Sequence, residues 1–96
     1  MRWFYEIINN TTHTKMERKE IDQKVKDFLV SEFEIEESVV VPEARLREDI
    51  GIDSLDFVDI IVIVDRTFGF RIVPEELKDV VTLEDFCNYI DSKVNQ

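Results

Sequence analysis

With a single cysteine, Cys87, no internal disulfide can form, which excludes the small secreted scaffolds that use cross-links in place of a core. A reducing cytoplasm is the expected setting. The single histidine, His13, lies in a polar stretch with no cysteine or serine partner placed beside it, so a histidine-driven nucleophile is not expected. Glycine occurs only at Gly51 and Gly69, too sparsely for a phosphate-cradling loop, and no Cys/His spacing suits a metal. Asp49, Gly51 and Asp53 do not follow the calcium-loop pattern, which needs alternate oxygen ligands before its glycine and a closing glutamate. Catalytic residues and metal ligands are both read as absent. The N-terminal cluster Trp3-Phe4-Tyr5 with Ile7-Ile8 is interrupted by Glu6 and is too short for a signal core or a membrane span. The chain is therefore read as soluble, untargeted and without membrane insertion. Asn10-Thr11-Thr12 has the form of a glycosylation acceptor, but with no secretory signal it reads as plain linker.

Basic residues are also scarce: 12 lysines and arginines face 22 acids, a net charge of −10. Such a field repels nucleic-acid phosphates and anionic lipid while attracting basic protein patches. The hydrophobic fraction of 44% is too high for a disordered acidic segment and points to a folded domain. Its 96 residues allow one domain and one modest core, which leaves little room for an enclosed catalytic cleft.

Along the chain, residues 1–15 differ from the rest, with aromatics followed by Asn9-Asn10-Thr11-Thr12-His13-Thr14. They read as an N-terminal extension to a domain over 16–96. Arg2 and Lys15 outweigh Glu6 there, so the acidity belongs to the domain. From Glu17 to Phe33, Ile21, Val25, Phe28, Leu29 and Phe33 repeat at helical spacing and predict an amphipathic helix. A long loop from about Glu34 to Asp53 follows, interrupted by Pro42 and Gly51 and pinned by Val39, Val40, Val41, Leu46, Ile50 and Ile52. Loops of this length in compact domains are often functional.

The segment from Ser54 to Phe68 is rich in β-branched residues, which alone would favour a strand. Its pattern favours a helix. Asp56, Asp59, Ile63 and Arg66 fall near one face, Phe57, Ile60, Ile61, Val64 and Phe68 near the other, with Asp53 or Ser54 as N-cap and Gly69 as stop. Pro74 suits the first position of a short helical turn. A last helix follows Thr82, whose spacing to Asp85 approximates a capping box, with Leu83, Phe86, Tyr89, Ile90 and Val94 inward. Cys87, flanked by inward residues, reads as a small buried hydrophobe.

What remains is a serine where a long loop turns into a helix, in the run Glu48-Asp49-Ile50-Gly51-Ile52-Asp53-Ser54-Leu55-Asp56. On residue chemistry alone the commoner reading of Ser54 is a helix cap. The run Asp49 to Asp56, however, resembles the phosphopantetheine attachment motif of the acyl carrier protein family, whose core is Asp-Ser-Leu after a Leu/Ile-Gly pair. Asp65-Arg66-Thr67-Phe68-Gly69-Phe70-Arg71-Ile72 is similar to the end of that family's second helix and its following loop. Pro74-Glu75-Glu76 and Thr82-Leu83-Glu84-Asp85-Phe86 resemble its short third helix and the start of its fourth. The resemblance spans about four-fifths of the chain, in order and in spacing.

The resemblance implies an all-α, acyl-carrier-like four-helix bundle of three main helices and one short one, with a long first loop. It implies a monomeric carrier rather than an enzyme, serving fatty-acid, polyketide or related lipid biosynthesis. Ser54 would accept 4'-phosphopantetheine from a phosphopantetheinyl transferase (holo-ACP synthase), and Asp53 would cap the turn and orient it. Leu55, Asp56, Val58, Asp59 and Val62 would form the face that meets acyl-transferring and ketosynthase-type enzymes through their basic patches. An interior containing Phe57, Ile61, Val64 and Phe68 would part to admit an acyl chain. Arg66, Arg71 and Ile63 depart from the family pattern and make that face less uniformly acidic. The alternative function is an unmodified, carrier-like interaction module.

Overall fold

The computed structural model describes residues 16–95, and the extension over 1–15 lies outside the described residues. Three long helices carry the fold: α1 (Arg18–Phe33), α2 (Ser54–Phe68) and α3 (Leu83–Val94). A short 3₁₀ turn spans Pro74–Leu77, where Pro74 opens the turn as anticipated. Among the described residues there is no strand, only the isolated antiparallel bridge of Arg45 with Thr82. The fold is all-α.

In α1 the predicted stripe is buried: Ile21, Val25, Phe28 and Leu29 face the core, while Phe33 is half-buried at the end. Glu34 stops the helix in the left-handed region (φ 56°), and the amide of Ile35 donates back to the Leu29 carbonyl at 3.3 Å. The two ends of the fold are tied by side-chain hydrogen bonds. Asn95 accepts from the Met16 amide at 2.6 Å and donates to the Met16 carbonyl at 2.8 Å. Arg18 pairs with Asp22 on its own helix at 2.9 Å and reaches Asp91 of α3 at 3.6 Å.

The loop between α1 and α2 is more ordered than its sequence signals. It contains a 3₁₀ turn at Glu37–Val39 and a wide π-type turn at Leu46–Ile50, closed by Gly51 in the left-handed region (φ 91°). Of its valines only Val40 is buried; Val39 and Val41 face outward. The loop is held because it supplies backbone partners to the start of α3. Leu83 and Glu84 donate to the carbonyls of Ala44 (2.8 Å) and Pro42 (3.0 Å), and Leu46 donates to Val81 (2.9 Å). Amides that a helix start leaves unpaired are thus satisfied by the loop. Arg45 adds a two-pronged pair with Asp49, its Nε 3.1 Å from Oδ2 and its terminal nitrogen 3.2 Å from Oδ1. This guanidinium holds the Asp49 carboxyl below its ordinary pKa.

Thr82 and Asp85 form a complete capping box on α3: Asp85 N–H donates to Thr82 Oγ1 at 3.1 Å, and Thr82 N–H to Asp85 Oδ2 at 3.2 Å. Backbone donation from Thr82 and then Val81 holds the Asp85 carboxyl below its ordinary pKa. A carboxylate depressed in the folded state adds stability above its unfolded pKa and loses it as pH falls through the folded pKa. An Asp85→Asn variant is therefore less stable at neutral pH, and thermal melts across the acid range show the gap to the native chain closing as pH drops. A gap that stays constant with pH contradicts this.

The core draws on all three helices and the loop, from Ile21 and Leu29 through Leu46 and Ile52 to Val64, Ile72, Phe86 and Ile90. Cys87 belongs to it at 3% exposure, as its flanking residues indicated. Burial pushes its thiol up to about 12, so the nucleophilic thiolate is not formed at neutral pH.

Candidate functional site

The loop-to-helix junction singled out in the sequence is resolved in detail. Asp53, in extended conformation, is the N-cap: its Oδ1 accepts from the Asp56 amide at 3.0 Å, and Asp56 Oδ2 accepts from the Asp53 amide at 3.3 Å. Ser54 is the first residue inside α2, not the cap. With capping done by its neighbour, the Ser54 hydroxyl hydrogen-bonds to no described residue and is exposed. It stands on the helix's positive end, where unpaired amides favour an anion.

The helix forms against its β-branched propensity because burial outweighs that preference, which spans only about 1 kcal/mol per position. Ile60 and Val64 are fully buried, and Gly69 ends the helix in the left-handed region (φ 81°) as the sequence indicates. One position departs from the reading. Ile63, grouped with Asp56, Asp59 and Arg66, is 7% exposed and joins the core. The apolar arc is wider than one stripe because α2 is covered from more than one side, so Ile63 is no part of the outward face. That face carries Leu55 at 78%, Val58 at 58% and Val62 at 56% exposure, beside the exposed Asp59. Asp56 is half-buried, and one of its oxygens is turned to the cap.

Ser54 also borders a cavity of about 430 Å³, within the roughly 300–1,000 Å³ common for small-molecule sites. Of the four residues expected in the interior, Phe57 and Ile61 form its α2 wall, while Val64 and Phe68 do not line it. Leu46, Arg47 and Glu48 line it from the loop, and Pro74, Leu77, Lys78, Val80 and Val81 from the segment before α3. No periodicity marks these contributors, since they come from turns that meet α2 only in the folded chain. The 3₁₀ wall is latched from outside. Tyr89 Oη donates to Glu76 at 2.7 Å and accepts from the Val73 amide at 3.2 Å, and Lys93 pairs with Glu76 at 3.0 Å.

The sequence model of the phosphopantetheine attachment site matches residues 23–90, a span that holds α2, the cavity walls and most of α1 and α3. The chain is 39% identical over 75 residues to an acyl carrier protein of Rubrobacter xylanophilus, covering 78% of this chain and 93% of that one. It is 37% identical to an acyl carrier protein of Thermosynechococcus vestitus, over 82% and 98% of the two chains. For one of Thermotoga maritima the identity is 36%, over 80% and 95%. This chain belongs to the acyl carrier protein family. The group that membership brings with it is 4'-phosphopantetheine. Acyl carrier proteins are carriers rather than catalysts. No described helix is long and apolar enough to cross a membrane.

Proposed function

We propose that residues 16–96 are the carrier domain and that Ser54 is the residue to which the phosphopantetheine arm is joined. The observation that carries this is the division of labour at the start of α2, where Asp53 caps the helix and leaves an exposed, uncommitted hydroxyl on Ser54. The surroundings fit the group. The helix end favours the anionic phosphodiester, Ser54 is exposed, and the adjoining apolar cavity offers cover to a chain reaching back from it. When bound, the arm supplies a terminal thiol that holds an acyl group as a thioester. Ser54 anchors it, Asp53 fixes the turn, and Phe57 and Ile61 offer an apolar wall that excludes water. The chain itself performs no catalysis.

The outward strip of α2 meets the partners. Leu55, Val58 and Val62 offer apolar contact, while Asp56 and Asp59 steer basic patches of the transferase and of acyl-transferring and ketosynthase-type enzymes. Steering raises encounter rates without slowing departure, which a cytoplasmic, monomeric shuttle needs.

Incubation with coenzyme A, magnesium and a promiscuous phosphopantetheinyl transferase tests the attachment. The intact mass rises by one arm, and peptide mapping finds it on Ser54; an arm elsewhere, or none, refutes the assignment and favours the unmodified interaction module. The exposed Asp59 tests the face. For Asp59→Lys, kcat/KM for loading falls about tenfold at low salt, and the difference shrinks as salt screens the charge. Equal rates at all salt concentrations would remove Asp59 from the docking face.

A further inference from the structure

An arm on Ser54 places its phosphodiester beside the carboxylates of Asp53 and Asp56 in a chain of net charge −10. Like charges this close disfavour the anion there unless cations offset them. Two of the cations without a described acid partner lie beside Ser54. Arg18, Lys19, Lys26, Arg45, Arg71 and Lys93 stand in ion pairs, whereas Lys24, Arg47, Arg66 and Lys78 pair with no described acid. Arg47 and Lys78 line the same cavity as Ser54, on walls opposite each other in sequence: the Leu46–Ile50 turn and the residue after the 3₁₀ turn. Both are exposed. The rest of that lining is apolar apart from Ser54 and Glu48. The cavity beside the attachment serine therefore has a rim that is more cationic than the molecule around it.

We propose that Arg47 and Lys78 are positioning residues that pair with the phosphodiester of the arm and hold the arm along the cavity. This rests on attachment at Ser54. Arg47 suits the role because a guanidinium fork engages two phosphate oxygens at once, and Lys78 adds a point charge from the other wall. The arm then lies over Phe57, Ile61, Leu77 and Val80 with its cargo sheltered, and a partner that supplies its own cations releases it. The rim sets the balance between sheltered and extended arm, a different task from the docking performed by the outward strip of α2.

The test uses the full chain loaded with the arm carrying an octanoyl thioester, with an Arg47→Gln/Lys78→Gln variant beside it. Circular dichroism melts confirm that both fold, as substitution at exposed positions leads one to expect. Two readouts follow. The phosphorus resonance of the arm differs between the two proteins at low ionic strength, and the difference vanishes near 1 M salt, where screening acts over about 3 Å. Cleavage of the thioester by hydroxylamine is about twofold to fivefold faster in the variant, the range expected for exposed charge pairs. Identical phosphorus shifts and identical cleavage rates overturn the assignment. A rate difference that appears only with a carboxylate-ended cargo, with no change in phosphorus shift, assigns the cations to cargo and also overturns it. Mass is read before either measurement: failure to load refutes attachment at Ser54 and the rim with it, while normal loading without the two effects refutes the rim alone.

Discussion

Replacing Ser54 by alanine leaves a protein whose intact mass does not change on incubation with coenzyme A and transferase, while its fold and melting temperature stay close to native. The loss is complete because the new bond is made to one oxygen that no neighbour can supply from the same place. Asp53 and Asp56 present carboxylates engaged in the capping box. The near-native stability follows from who caps the helix. Removing a serine that caps costs about 0.5–2 kcal/mol, but here Asp53 holds the cap and Ser54 is an exposed first-turn residue. Alanine is the best helix former at such a position, so the net change is expected within about 0.5 kcal/mol. Intact mass and a thermal melt of the same sample check both halves. Loading at full rate in Ser54→Ala would show the hydroxyl is not the anchor; an unfolded variant would show that the cap had been wrongly assigned.

Phe86→Ala produces the largest loss of stability. Phe86 is 2% exposed on α3 and is among the largest side chains fully enclosed in the core. Truncating a buried phenylalanine costs about 3–5 kcal/mol, set against a total that is typically 5–15 kcal/mol and at the low end for small domains. At about 4–8 °C per kcal/mol for a domain of this size, the melting temperature falls by roughly 12 °C or more. The control is Leu55→Ala on the outward strip of α2: at 78% exposure Leu55 makes few contacts with the core, so its truncation leaves the melt unchanged. A melt that separates the two variants by only a few degrees would mean that the core does not close around Phe86. Below its melting range, Phe86→Ala still loads at Ser54, since the hydroxyl and its cap lie on the surface.

The three long helices and the stop at Gly69 were legible because each announces itself locally. Ile21, Val25, Phe28 and Leu29 keep a helical period, Thr82 and Asp85 have capping spacing, and Gly69 takes the left-handed turn that other residues resist. Asp53 against Ser54 as the cap was not decidable from the letters, since both are good caps; the backbone of Asp53 and its bond to the Asp56 amide decide it. Ile63 was misplaced because α2 is buried over a wider arc than a single stripe describes. The order in the first loop was missed because its partners, the amides of Leu83 and Glu84, lie some forty residues away in the chain.

The sequence by itself determined that this is an acidic, all-α member of a carrier family with a serine at a helix start, because motif, period and charge are properties of neighbouring residues. Only the tertiary structure decided that the Ser54 hydroxyl is left free and that a cavity opens beside it. It alone brought Arg47 and Lys78 to that cavity's edge, because contacts between a loop, a helix flank and a distant turn exist only once the core has drawn them together.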